Sequence, residues 1–509
     1  MSARRVLAIV LAEADPDLLQ GWVAEGRLPT FARLMEEGMF SRLRKCLPAS
    51  TAERWATLVT GRGPGHHGIY DFFQRGEDGR FREARFFGVG LPLTAPAAWE
   101  VLAERGVACG LVNVPFVGAG RPRDGFLVLD VPEPQDALCW PADVERDVRS
   151  RFGAYDNETG DAPRFALGDP EKDSVLNRQE IRIARQAAIA EQLMAERDWR
   201  FLLTRFEPPA FVQHSFWSDM ENGSAYRDAI RDTYVALDRA VARLWDAAGP
   251  GTAICVVSDC GAGPLRQGVQ MHAWLEAEGY LARSQSAGNV ARGTALHLRA
   301  HLDGLARRSL PDPLYAVAKR GMRRVHDRGV GYPETSDLDW SNTRAFGLGR
   351  DRHILVNLRG RDPHGIVRPG APYESLRDEI AERLLALVDP ATGERPALAV
   401  HRGEELSPGP RATTAPDLVV HWNPTYWSSD VESEPGAVFA ARVQKGVPWP
   451  NSGGHRDEGI WLAAGPGVPE WGPSRPTATL LDVVPSWFAL LGEPIPAELE
   501  GRGHIGVES

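Results

Sequence analysis

Short apolar runs alternate with longer stretches of helical periodicity along the 509-residue chain. The runs Val6–Leu11, Ala108–Val114, Arg200–Phe206, Ala253–Ser258, His353–Leu358, Leu418–Trp422 and Gly459–Ala463 predict strands. Helices are predicted over Pro29–Gly38, Ser50–Val59, Pro96–Glu104, Ser174–Glu196, Tyr226–Ala247 and Tyr373–Val388. Strands that are apolar throughout, interleaved with helices, point to an α/β sheet covered on both faces. In such sheets chemistry gathers where strands end and loops begin.

One stretch breaks the rhythm. Between Arg283 and Arg328 lie Arg292, Arg299, Arg307, Arg308, Lys319, Arg320, Arg323 and Arg324, with few acids. This reads as a helical insertion, either a solvated basic face or an electrostatic lid over a site for anions. The chain then divides into a first part of the core (1–282), a basic helical insertion (283–334) and a second part of the core (335–509).

Composition narrows the function. A net charge of −10 argues against a nucleic-acid partner, which calls for a basic surplus. No stretch approaches the roughly 18 uninterrupted apolar residues of a membrane span, and Val6–Ala12 gives way to Glu13, Asp15 and Asp17, which is wrong for a secretory cleavage region. The cysteines are five, an odd number without a CxxC pair, so no disulfide framework is expected. The expected setting is cytoplasmic, without a membrane; the sequence leaves the oligomeric state open.

Candidate chemistry starts at Pro48-Ala-Ser50-Thr51-Ala-Glu53-Arg54-Trp55. Ser50 and Glu53 have capping-box spacing, and Gly61 stops the helix. Thr51 then lies in the first turn, where free N–H groups and the helix dipole favour an anion. Three further segments sit beside strand-like runs: His214 in Phe211-Val-Gln-His214, Ser258-Asp259-Cys260-Gly261, and Gly453-Gly-His455. Asp15 and Asp17 around Pro16 look like a helix cap. His66 and His67 are expected in structural hydrogen bonds, and His272 in packing or capping.

With these segments, and with Gly26-Arg-Leu-Pro29 leading into the helix predicted from Pro29, the chain resembles the alkaline phosphatase superfamily, in its type I phosphodiesterase/nucleotide pyrophosphatase-like branch. The likeness extends over nearly the whole chain. It implies an α/β, alkaline-phosphatase-like three-layer sandwich with a central sheet, helices on both faces and a helical insertion. It further implies a Thr nucleophile and two metal ions, one held by an Asp, the Thr, and the Asp and His of Ser-Asp-His-Gly. The other takes an Asp and a His four apart, with the His of Gly-x-His.

Carried over by position, Thr51, His214, Asp259 and His455 are kept. The strand-one Asp falls on Ala12, the Asp four before His214 falls on Ala210, and the His after Asp259 is Cys260. Alanine has no donor atom, whereas a thiolate is a good zinc ligand. The first site is therefore expected as Thr51, Asp259 and Cys260, with Glu13 a substitute ligand only if the chain turns after Ala12. The second is left with His214 and His455. A buried inert thiol is the plainer reading of Cys260.

The reading adopted is a divergent phosphoester or phosphodiester hydrolase acting on an anionic small molecule. Thr51 is its nucleophile, at an altered site holding zinc or another divalent metal, with fewer than two ions per chain. The alternatives are a non-catalytic relative that keeps the anion pocket for binding or regulation, and a transferase using Thr51 or Cys260. Sulfate, phosphate and phosphonate esters all occur as substrates in the resembled superfamily, so the likeness leaves the substrate open.

Overall fold

The computed structural model describes residues 5–47, 50–75, 81–83, 93–115, 124–129, 139–153, 169–284, 338–348, 353–429, 436–441, 443–444, 447–448, 451–470 and 478–505. Apart from its first two residues, the basic stretch 283–334 lies outside them.

Five of the seven strand-forming runs, with four further strands, assemble into one nine-stranded sheet. Its order is Ala478–Thr479, Gly38–Arg44, Glu458–Ala464, Thr252–Val257, Arg5–Leu11, Phe201–Phe206, Cys109–Val112, Gly125–Val128, Cys139–Trp140. The five strands from Thr252–Val257 to Gly125–Val128 run parallel. Glu458–Ala464 runs antiparallel beside Thr252–Val257, so its start meets the ends of the parallel strands.

Alternation along these apolar strands divides the core into two layers. Leu7, Ile9 and Leu11 pack with Leu19, Phe31, Ile183 and Leu237, from helices Pro16–Ala24, Pro29–Glu37, Asp169–Glu196 and Ala229–Ala248. Val6, Ala8 and Val10 face the other way, onto Trp55, Trp99 and Trp487 of helices Thr51–Thr60, Ala98–Glu104 and Val483–Leu491. Burial on both faces is why these strands carry no polar alternation. The α/β sheet covered on both faces that the pattern predicted, and the three-layer sandwich that the resemblance implied, are the observed architecture. A smaller four-stranded sheet, with helix Ala371–Ala386, forms a separate core around Ile354, Ile380 and Leu418.

Some boundaries differ from the sequence expectation. Gly38, expected to end a helix, begins the strand Gly38–Arg44, which pairs with Glu458–Ala464. The long helix begins at Asp169 rather than Ser174. His214 stands on a helix, Pro208–Asn222, that the apolar pattern did not disclose. His455 lies on the strand Gly453–Arg456, paired antiparallel with Gly261–Pro264. Among the described residues, no helix is long and apolar enough to cross a membrane.

Candidate active site

The ends of the parallel strands deliver the motif residues to one edge of the sheet. Thr252–Val257 runs into Ser258 and Asp259, and Arg5–Leu11 into Ala12 and Glu13. Phe201–Phe206 leads to Glu207 and the His214 helix. Two glycines permit the close approach of the remaining pieces. A Cβ on Gly459 would stand 2.1 Å from Ser258 O, and one on Gly453 would stand 2.4 Å from Gln213 O.

Thr51 opens its helix as expected. Ser50 is the N-cap, accepting from Glu53 N at 3.1 Å. The Glu53 carboxyl does not close the box: it accepts from Thr57 Oγ1 at 2.7 Å, and burial pushes its pKa well above the ordinary range. Asp15 caps the following helix through Asp17 N and Leu18 N. His67, in a four-residue helix, is fully buried with Nε2 3.0 Å from Thr57 Oγ1. His272 Nε2 meets Gly347 O at 2.8 Å, a local tie.

Glu13, expected as a substitute ligand beside Thr51, Asp259 and Cys260 only if the chain turned after Ala12, faces the two histidines. Its φ of 60° lies in the left-handed region, so the chain turns where a continuing strand would have carried the side chain away. Glu13 Oε2 lies 3.0 Å from His214 Nε2 and 3.3 Å from His455 Nδ1. Among the described residues, Glu13, His214 and His455 form the group of metal-capable side chains with ligand atoms within 4.8 Å of one another.

The donor chemistry of this trio suits a cation. His214 Nδ1 is 2.6 Å from Gly453 O, an acceptor only, so that nitrogen carries the proton. In the neutral ring, Nε2 then turns its lone pair toward the Glu13 carboxylate, the arrangement of a histidine oriented to ligate. His455 Nδ1 faces both Glu13 Oε2 and a donor of Arg54 at 3.5 Å, and no single protonation state suits both neighbours. Glu13 Oε2 is buried and makes no geometrically sound hydrogen bond. Burial alone would push the Glu13 carboxyl up, but the two imidazoles outweigh it and hold it well below its usual range. Burial lowers His455, whereas for His214 the pull of burial is overcome by Glu13 and the pKa rises.

Asp259 and Thr51 have a different partner. Arg54 is fully buried; its Nε donates to Asp259 Oδ2 at 2.8 Å and its Nη2 to Thr51 Oγ1 at 3.2 Å. Burial opposes its charge, yet the carboxylates of Asp259 and Glu13 outweigh it and raise its pKa. Cys260 Sγ stands 3.7 Å from His455 Nδ1, and burial keeps its thiol well above the ordinary range. A second buried arginine, Arg205, pairs with Glu207 and lies over the Trp55 ring at 5.3 Å. Burial lowers it to about 10. Ala12 and Ala210 are buried and offer no donor atoms.

Thr51, Asp259 and His455 meet at Arg54, Cys260 adjoins His455, and Glu13 and His214 join through His455; three residues to which the sequence assigned no role organise the group. Arg54 follows Thr51 by three residues, the spacing that puts two side chains on one helix face. Gln213 donates through Nε2 to Glu13 O at 2.8 Å and accepts from Tyr234 Oη at 2.9 Å. Gln213 and Tyr234 carried no signal in the sequence, since their partners come from distant segments.

A family model of type I phosphodiesterase / nucleotide pyrophosphatase matches residues 6–446. No curated protein sequence matches the chain. Phosphonoacetate hydrolase from Sinorhizobium meliloti 1021, solved with phosphonoacetate, is 15% identical at a TM-score of 0.54, with 96% of each chain covered. Murine ectonucleotide pyrophosphatase/phosphodiesterase 5, solved as an inactive variant with AMP, is 13% identical at 0.52, covering 97% of this chain and 96% of that one. The alkaline phosphatase PafA is 12% identical at 0.56, with 99% and 98% covered. At such identities these structures speak for the alkaline-phosphatase-like fold alone, whereas the family match spans most of the sequence. The chain belongs to the type I phosphodiesterase/nucleotide pyrophosphatase family, whose members are hydrolases of phosphoester bonds.

Proposed function

We propose that this chain hydrolyses a phosphoester or phosphodiester of a small anionic molecule. Thr51 is the nucleophile, and one divalent metal ion is held by Glu13, His214 and His455. The convergence of those three side chains carries the reading, with Thr51 Oγ1 and His455 Nδ1 both against one nitrogen of Arg54. Three protein ligands with a position left open is the pattern of catalytic rather than structural zinc. An ion bound there would supply Lewis-acid charge for a phosphoryl oxygen.

Thr51 supplies the attacking oxygen. Its hydroxyl proton passes to solvent, an Oγ–P bond forms, and the bond from phosphorus to the departing oxygen breaks as that oxygen takes up a proton from solvent. Water then displaces Thr51 from phosphorus and the hydroxyl is restored. The helix N-terminus on which Thr51 sits favours the phosphoryl charge. The murine relative's complex with AMP and the bacterial one's with phosphonoacetate support a small anionic substrate.

A second reading, a non-catalytic relative that uses the pocket for binding, is favoured by the donor-free Ala12 and Ala210 and by the engagement of Asp259 with Arg54. One experiment separates the two. Protein purified without chelator is analysed for metal and assayed with bis(4-nitrophenyl) phosphate, beside Thr51→Ala and Glu13→Gln. The hydrolase reading expects about one zinc per chain and cleavage that is lost in both variants. Metal without cleavage supports the binding module, and cleavage that survives Thr51→Ala removes the nucleophile.

A further inference from the structure

A guanidinium with no exposed surface is costly unless its charge is matched. Arg54 is matched on several sides: Asp259 Oδ2 at 2.8 Å, Thr51 Oγ1 at 3.2 Å and His455 Nδ1 at 3.5 Å. Its charge therefore sits between the hydroxyl assigned as nucleophile and a buried carboxylate. It also borders the Glu13–His214–His455 cluster, because His455 is shared by both groups. Ala12, fully buried at the end of the first strand, adds no ligand on this side of the pocket.

Resting on the reading of this pocket as a phosphoryl-hydrolase site, we propose that Arg54 is a built-in second cation. It holds the Thr51 hydroxyl and supplies the positive charge that a second metal ion would otherwise bring, so the site works with a single ion. A charge-assisted donor aimed at an oxygen favours that oxygen as it becomes negative. Thr51 and Arg54 share one helix face, so the donor is fixed relative to the nucleophile without reorganisation. Asp259 and Thr51, the oxygen donors on this side, both engage the guanidinium, and an ion entering here would have to displace it. Arg54 donates to the attacking oxygen itself and therefore counts as a catalytic residue.

The test compares wild type, Arg54→Ala and a triple variant, Ala12→Asp/Arg54→Ala/Cys260→His. Metal content is measured by mass spectrometry and turnover with bis(4-nitrophenyl) phosphate. Arg54→Ala should keep the metal content of wild type while kcat falls about 100-fold, the scale for losing one preorganised donor. Added methylguanidinium should restore at least part of it, a response that a purely structural arginine would not give. The triple variant should bind one more ion per chain than wild type. That measurement stands without activity, and it keeps the idea testable should Arg54→Ala fail to fold. Unchanged kcat in a folded Arg54→Ala, or a triple variant with no added ion, overturns the proposal. Wild type without metal, but with turnover that falls on Arg54→Ala and returns with methylguanidinium, would instead defeat the metal assignment and leave Arg54's role standing.

Discussion

The side-chain amide of Gln213 donates to the carbonyl oxygen of Glu13 at 2.8 Å, while the next residue, His214, meets the carboxylate of the same Glu13 at 3.0 Å. One turn of helix thus grips both the main chain and the side chain of a residue in the left-handed region. Tyr234 extends the tie, donating to Gln213 Oε1 and accepting from Asp15 N at 2.7 Å. The position of Glu13 depends on this buried relay.

Replacing Gln213 with Leu keeps the volume but strands the Glu13 carbonyl and the Tyr234 hydroxyl. A loss of about 1–3 kcal/mol is expected in urea denaturation, the cost of leaving such groups unpaired. Zinc affinity, measured by competition with a chromogenic chelator, should fall about 10- to 100-fold, as for partners that orient a ligand. Unaltered zinc affinity would show that Glu13 holds its conformation without the tether.

Cys260→Ala tests which side chains hold the ion. The Sγ atom lies outside the converging group of Glu13, His214 and His455, so metal content should equal that of wild type. Loss of the ion in this variant would restore the thiolate-centred site expected from the sequence.

The sheet's supports are equally open to test. Asp238 is buried and accepts from Thr30 N at 3.0 Å, Thr30 Oγ1 at 2.9 Å and Phe31 N at 2.9 Å, closing the start of helix Pro29–Glu37 from a distant helix. Asp238→Ala removes acceptors from several buried donors and should cost about 2–3 kcal/mol. The urea midpoint should drop while the metal content of folded protein stays constant.

Acid sensitivity follows from His67. Burial lowers its pKa to about 3 from an ordinary 6.5, so the folded protein keeps it neutral while the unfolded chain protonates. Its contribution is complete above about pH 6.5 and is lost as pH falls toward 3, with an upper bound of about 4–5 kcal/mol by linkage. Stability measured across that window should fall less steeply in His67→Gln than in wild type.

The strands were legible because residues such as Val6–Leu11 and Ala253–Val257 are apolar throughout, which only burial on both faces explains. The motif residues were legible because a capped helix, an acid after a strand and glycine-flanked histidines are local patterns. The helix carrying His214 was not, since burial on several sides leaves its hydrophobic face without clear periodicity.

What the sequence determined by itself was the set of apolar runs that makes a layered sheet, and the chemistry-bearing residues delivered to the strand ends. Which of them act together was decided by tertiary structure. A backbone turn at Glu13, held by Gln213 from another segment, sends its carboxylate to the histidines. Arg54 reaches Asp259 only because the helix and the strand end face each other across the fold. Local pattern records what each residue can do; contacts between distant segments depend on packing that no single stretch encodes.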